Sequence, residues 1–472
     1  MSGLGVPDVV DRGRRRSGDE LNAMAAGWRA GVREALGEGE RAVAVVVPGG
    51  AEAVALVVGL SALPQPMILL SPDVRAWRTE PAIPAGTALV LLPALAALAG
   101  KAERLGLVPV VLPEGSTRGA APPVDAFSGG GVVLFTSGSS GRPKPIFHRM
   151  DSIRSWVRGR ARAMGLGPGD GVAIGTSPAY SQGFTHLMTA TLLGGALGLL
   201  DPRDHRLALA MLADPAFRCW RATPHLVDAL ARCVLTGPAI VPPVCIVSTP
   251  ITKEVFGAFR DRFGVGLRQA YNTTETGTIT LDDSPADQIQ PDTVGRPLPG
   301  VEVRIGDHPS RPVARGGEGQ IWVRTPGLMA GYGFPPRLDR RDEVDGWWPT
   351  QDLGTLRADG HVVLGGRRDD AIRTRDNHTV NLAHVAARLC EVDGVVDAAV
   401  VPVDTPAGRS FGAVVEHAPG LTVSELRGRL SAALPAWSQP RALALVAALP
   451  RLPNGKPDRL GCATLLAERL SG

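Results

Sequence analysis

Between residues 42 and 92 the chain switches repeatedly between two kinds of apolar segment, and this limits the fold more than any other feature. Ala42 to Val47 is an unbroken run of small and β-branched residues, as a strand buried on both faces requires. Ala51 to Leu60 has the length and composition of a helix, and Met67 to Leu70 and Ala88 to Leu92 again read as strands. Such a βαβα alternation predicts an α/β fold whose mostly parallel sheet is covered by helices on both faces. The pattern returns with a strand at Gly171 to Gly175, a helix at Leu207 to Leu212 and a strand at Val244 to Val247. Val255, Phe256, Phe259 and Phe263 then recur at helical spacing, and Gly264 stands where that helix should stop.

Near residue 290 the character changes. Segments 301–305, 320–324, 353–357 and 361–365 are short, strand-like and rich in turns, and Asp359-Gly360 is a hairpin signal. A smaller antiparallel sheet or barrel is expected there. Beyond Gly366 the remaining residues read as a compact α+β unit with helices at 382–389 and 424–434, the second opened by the capping box Thr422-x-x-Glu425. A chain of 472 residues is also long for one core. The expected division is a large N-terminal domain, 1–365, and a small C-terminal one, 366–472.

The formal net charge of +4 is small for this length and its basic residues are scattered, apart from Arg12, Arg14, Arg15, Arg16 and the cluster at 367–375. No nucleic-acid partner is therefore expected. Five cysteines without a Cys-x-x-Cys pair fit reduced thiols. Ser17, Gly18, Asp19 and Glu20, not an apolar stretch, follow the N-terminal arginines, so no signal peptide is expected. The most apolar windows, 42–64 and 86–100, are interrupted or too short for a membrane span. A cytoplasmic protein is expected.

Residues 134–145, Leu-Phe-Thr-Ser-Gly-Ser-Ser-Gly-Arg-Pro-Lys-Pro, carry the strongest chemical signal. Glycines let successive backbone amides approach one anion, Thr136, Ser137, Ser139 and Ser140 add hydroxyl donors, and Lys144 adds charge. This is a phosphate cradle in chemical terms, although its spacing is not that of Walker A, Gly-x-Ser-x-Gly or Ser-x-x-Lys. A flexible Gly/Ser surface loop is the ordinary alternative. Four further groups stand out. Tyr271-Asn-Thr-Thr-Glu275 puts an aromatic ring, hydroxyls and a carboxylate within five residues, a set that can stack a base, bind phosphate and hold a hard cation. Asp352 can accept from a ribose diol, and Arg367 can grip ribose or phosphate oxygens. Asn454-Gly455 forms a turn that would project Lys456, a mobile point charge suited to a developing anion. Taken singly, each also reads as a strand end, a solvated turn or a surface charge.

Their order along the chain resembles the adenylate-forming superfamily of acyl-CoA synthetases, peptide-synthetase adenylation domains and luciferases, from about residue 40 to residue 460. The resemblance implies stacked sheets and a small barrel in the N-terminal domain, and a mobile C-terminal domain carrying the catalytic lysine. It also implies ATP and Mg²⁺, with a small-molecule acid as substrate and CoA or a carrier-protein phosphopantetheine as acceptor. By similarity, Thr136, Ser137, Gly138, Ser139, Ser140, Gly141 and Lys144 hold the ATP phosphates. Tyr271 and Asn272 lie at the adenine, with Ser248, Thr249 and Pro250 as the other wall. Thr274 binds phosphate, Glu275 ligates Mg²⁺, Asp352 and Arg367 bind the ribose, Lys456 bridges the attacking oxyanion and α-phosphate, and Asp369 is the hinge. The acyl pocket draws on Tyr180, Ser181, Gly183, His186, Thr273, Thr276 and Gly277, with Gly183, Gly194 and Gly195 leaving room.

The chain also departs from the family. Asn272 replaces a glycine, and Ser248-Thr249-Pro250 replaces a small-residue wall. Segment 372–385 lacks its loop glycine, with Asp376 near that place and His384 for a customary glutamate. That loop lines the thiol approach in the family, which leaves the acceptor open. No aspartate lies at 178–187 to hold a substrate amine, which favours an acid without an α-amino group. The leading expectation is an acid–thiol ligase. Its alternatives are an amine acceptor, nitrite activation for diazotisation, a regulatory nucleotide-binding protein and, on Ser139-Ser140 alone, an amidase.

Overall fold

The computed structural model describes residues 5–37, 42–72, 83–113, 125–136, 144–201, 203–233, 244–247, 251, 253–285, 287–368, 371–373, 379–405, 408–451 and 457–471. Two large sheets dominate. In the first, of eight strands, Val132–Thr136, Met67–Leu70, Val43–Val46, Ala88–Leu91 and Val108–Val111 are neighbours in that order and all parallel. Lys144–His148, Gly331–Phe334 and Arg337–Asp339 extend it antiparallel on one side. The second, of nine strands, has a parallel body of Leu267–Thr273, Val244–Val247, Phe217–Ala222, Gly171–Ile174, Leu197–Leu199 and Val9–Asp11.

The layering explains the helix Ala51–Leu60. All of its residues except Glu52 are buried, as befits a helix that is apolar all round. One core cluster joins this helix to Val43 and Val45 of the first sheet, Val172 and Ile174 of the second, and the helices Gly18–Leu36, Met150–Ala163 and Ser181–Leu193. Gly59 is needed where the first two helices cross, because a Cβ there would lie 2.8 Å from the Ala25 Cβ. The sheets are thus stacked through shared helices, as the family resemblance implied.

The four strands expected after residue 290 are Glu302–Ile305, Glu318–Arg324, Trp348–Leu356 and Val362–Arg367, joined as one antiparallel sheet. Gly360, at φ +88°, takes the left-handed turn conformation between the last two. Residues 331–339 leave this region, crossing back to the first sheet, and Arg296–Pro297 joins the second. Arg14–Arg16, read only as a charged group, is an edge strand of the second sheet, where charge discourages pairing with another chain.

The smaller C-terminal domain packs helices Leu382–Cys390, Val423–Ala433 and Arg459–Ser471 on the strands Val395–Thr405, Gly408–His417 and Ala442–Val446. The capping box at Thr422 is formed in both directions. Core clusters on either side of the expected boundary share no residue: those before it reach Leu364 and those after it begin at Ile372. Among the described residues, no helix is long and apolar enough to cross a membrane, and Cys219, Cys233, Cys390 and Cys462 are free thiols.

Candidate active site

Three residues expected at the nucleotide come together. Asp352 and Arg367 are direct partners across adjacent strands, with Arg367 Nη1 3.8 Å from Asp352 Oδ1. The other oxygen, Oδ2, accepts from the Tyr271 hydroxyl at 2.5 Å. Asp352 lies within a strand, not in a turn, and its side chain is 14% exposed. Tyr271 belongs to the strand Leu267–Thr273 and is 6% exposed, its ring among Ile279, Val294 and Ile321. Burial and then the Asp352 charge push its phenol well above the ordinary range, so it stays a donor.

Thr274 and Glu275 follow directly. Glu275 Oε1 accepts from the Tyr332 hydroxyl at 2.9 Å, and Lys144 Nζ lies 5.3 Å from the centre of the Tyr332 ring. Burial, then the Glu275 charge, raises the Tyr332 phenol. Among the described residues Glu275 Oε2 takes no hydrogen bond, which leaves it to a hard cation that needs one or two carboxylates and otherwise phosphate and water. Thr136 and Lys144 face each other as the last pair of two antiparallel strands, so the ends of the segment 137–143 are fixed beside Glu275 through Tyr332.

His148 was not singled out from sequence. It is fully buried at the end of the strand that starts with Lys144, and its Nε2 donates to the Thr274 carbonyl at 2.7 Å. Burial lowers its pKa from 6.5 to about 4, so the ring is neutral and ties the phosphate-loop strand to the segment bearing Thr274 and Glu275. Tyr332 was missed as well. Its signal was a tyrosine set between two glycines, Gly331 and Gly333, where a strand passes close to other groups.

The expected acyl-pocket residues divide between the start of the helix Ser181–Leu193 and the turn from Thr273 to Gly277. Tyr180 is the N-cap of the helix, and Ser181 Oγ lies 3.4 Å from Thr274 Oγ1. Gln182 reaches Asn272 Oδ1 at 3.5 Å and accepts from Arg221 Nη2 at 2.7 Å. Buried His186 donates from Nδ1 to the Gln182 carbonyl at 2.8 Å, leaving Nε2 as an acceptor without a partner among the described residues. Burial first, then the Arg160 and Arg221 charges, hold its pKa well below 6.5. Arg160 bonds to the Thr185 carbonyl and hydroxyl and to Thr189. Thr273 Oγ1 and Thr276 Oγ1 are 2.9 Å apart, and Gly277 leaves space for the Trp156 ring, which a Cβ would meet at 2.7 Å.

The expectation that three glycines open this pocket is corrected. A Cβ on Gly183 would lie 2.1 Å from the Ser177 carbonyl oxygen, and one on Gly195 2.0 Å from that of Asp170. Both are packing glycines against backbone, and Gly194 ends the helix in the left-handed conformation. Ser137, Gly138, Ser139, Ser140, Gly141, Ser248, Thr249, Pro250, Asp369, Asp376 and Lys456 lie outside the described residues.

The AMP-binding enzyme family matches residues 5–333. Novobiocin biosynthesis protein H of Streptomyces niveus is 32% identical over 70% of this chain and 56% of its own length. Sulfoacetate–CoA ligase of Cupriavidus necator is 28% identical over 70% of this chain and 66% of its own. The chain therefore spans little more than half of the one and two thirds of the other. Amide bond synthetase McbA of Marinactinospora thermotolerans superposes with a TM-score of 0.80 at 26% identity, covering 98% of this chain and 97% of its own.

Proposed function

This chain belongs to the AMP-binding enzyme family, the adenylate-forming ligases, and from that premise we propose that it adenylates a carboxylic acid with ATP, releases pyrophosphate, and passes the acyl group to a thiol of CoA or of a carrier-protein phosphopantetheine. The observation that carries the reading is the convergence of Tyr271, Asp352 and Arg367 beside Thr274 and Glu275. In this reading Asp352 and Arg367 take the ribose hydroxyls, Tyr271 and Asn272 face adenine opposite Ser248, Thr249 and Pro250, and residues 136–144 with Thr274 hold the phosphates. Glu275 holds Mg²⁺, which supplies charge neutralisation at the phosphates.

A carboxylate that attacks the α-phosphorus approaches like charge, so donors must stand where negative charge develops. Lys144 and Lys456 supply that charge. Residues 366–472 form the domain that carries Lys456 and turns about Asp369, a motion supported by the separation of the core clusters between Leu364 and Ile372. The acid lies along Tyr180, Ser181, His186, Thr273, Thr276 and Gly277, and carries no α-amino group.

One observation favours a second acceptor. The likeness to an amide bond synthetase extends over 98% of this chain, and segment 372–385 departs from the thiol-ligase pattern, which together support an amine. The test is product formation from ATP, Mg²⁺ and a panel of aryl and aliphatic acids, each with CoA, with a phosphopantetheine thiol or with simple amines. Thioester alone supports the first reading and amide alone the second. Lys456→Ala should slow acid-dependent pyrophosphate release by about 10²–10³-fold. ATP binding without release from any acid would return the chain to the regulatory alternative.

A further inference from the structure

The strand Gly277–Leu281 has Glu275 near one end and a second polar cluster at the other, about 20 Å away along the extended chain. There Asp282 and Asp283 meet His361, which closes the turn Asp359-Gly360. One ligand atom from each of Asp282, Asp283 and His361 lies within 4.8 Å of the other two.

Three features set this cluster apart from ordinary surface acids. Asp282 is fully buried, and while its Oδ1 accepts from the Ser284 amide at 3.0 Å, its Oδ2 has no hydrogen-bond partner among the described residues. A buried carboxylate oxygen in that state is costly, and a cation would offset the cost. His361 is 7% exposed and has an acidic neighbour on one ring nitrogen: Asp359 Oδ2 lies 3.1 Å from Nδ1, close although off the hydrogen-bonding direction. Its Nε2 faces Ser284 Oγ at 3.3 Å, beside the two aspartates in sequence. A carboxylate behind the imidazole is the arrangement that metal-ligating histidines keep. Asp283 is exposed and gives the cluster a path to solvent.

The neighbouring cations do not fill the site. Arg296 Nη1 donates to Asp283 Oδ1 at 2.8 Å, and Arg268 Nη1 donates to the backbone carbonyls of Asp282 and Ser284 at 2.8 Å and 2.6 Å. Arg357, which also acts on Asp359, is paired with Asp292 at 2.5 Å, so four carboxylates, those of Asp282, Asp283, Asp359 and Asp292, stand against three guanidinium groups.

We propose that Asp282, Asp283 and His361 form a divalent-cation site, separate from the Mg²⁺ at Glu275 and selective for the Zn²⁺ or Mn²⁺ class that imidazole and carboxylate together favour. Small side-chain rotations bring the three groups to ligand distances of about 2.0–2.2 Å. Bound there, the ion ties the end of the strand that starts beside Glu275 to the turn between the strands that carry Asp352 and Arg367. Its role is to hold the two sheets in register around the nucleotide groups.

The test uses the full chain stripped of metal, kept in excess Mg²⁺ without nucleotide, and titrated with Zn²⁺ and separately with Mn²⁺. Bound metal is measured after desalting and thermal stability is followed in parallel. The expected result is one tightly held ion per chain and a raised melting temperature. Binding should weaken at least tenfold in Asp282→Asn and His361→Gln, and about 10–100-fold in Asp359→Asn. Asp283→Asn, at the surface, serves the same purpose should the Asp282 variant fail to fold. No stoichiometric ion in the wild type, or equal binding in Asp283→Asn and His361→Gln, would overturn the proposal.

Discussion

At the nucleotide end of the site two carboxylates are held by phenols, Asp352 by Tyr271 and Glu275 by Tyr332. Around the helix Ser181–Leu193, the proposed acid end, the buried ionisable groups are instead Arg160, Arg221 and the neutral His186. The two ends differ in that the first sets its carboxylates among phenols as well as the cations Arg367 and Lys144, whereas the second buries cations and a neutral imidazole. A phenol donates without adding charge, so each carboxylate keeps its negative charge for hydroxyls or a cation. Burial lowers Arg221 to about 9 and Arg160 to about 10, which still leaves both charged at neutral pH beside the place where an acid would lie. On the proposed reading, the first set faces the nucleotide and its Mg²⁺ and the second faces the acid.

Five substitutions would break or sharpen that contrast, and the largest effect belongs to Glu275. Glu275→Gln removes the charge but keeps the Tyr332 contact, and should lower the pyrophosphate-releasing rate by about 10²–10³-fold with a raised Mg²⁺ requirement. An unchanged Mg²⁺ dependence would remove Glu275 from the metal.

His148 joins the two halves of the nucleotide end, and its effect is on stability. Its folded pKa is depressed from 6.5 to about 4. As pH falls through that window the unfolded chain binds a proton that the native ring refuses, so stability drops, on the order of 3 kcal/mol by pH 4. Above pH 6.5 the ring contributes no slope. Denaturant melts between pH 7 and pH 4 should be flatter for His148→Asn than for the wild type. Parallel curves would show that the proton is taken up elsewhere.

Asp352→Asn and His186→Leu test whether the ends act separately. The first should raise the KM for ATP by about 10–100-fold and leave the KM for the acid unchanged. The second should do the converse, by about tenfold. If either variant moved both constants alike, the division would fail. Tyr332→Phe is as mild as His186→Leu, with a loss of about tenfold from one hydrogen bond to a charged group.

Much of this fold could be read from the chain because its buried elements are nearly pure in type. Ala51 to Leu60 and Met67 to Leu70 have the expected bounds, and the four strands after residue 290 form the single antiparallel sheet that their turns implied. Residues 331–339 show why the rest was hidden. Their strands are short, glycine-rich and without alternation, so nothing local says that they leave one sheet for another. In the site, Tyr271, Asp352 and Arg367 were legible because their spacing follows a pattern known from a whole family. His148 was not, because its meaning lies in a hydrogen bond to a carbonyl 126 residues away. The glycines misled for a physical reason: a missing side chain can serve a ligand or a neighbouring backbone, and at Gly183 it serves the Ser177 carbonyl.

The most direct test of the central claim is acid-dependent exchange of labelled pyrophosphate into ATP with no acceptor present. The account predicts exchange that needs Mg²⁺ and one class of acid, and that is nearly lost in Glu275→Gln. ATP binding without exchange for any acid, or exchange that Glu275→Gln leaves intact, would contradict it.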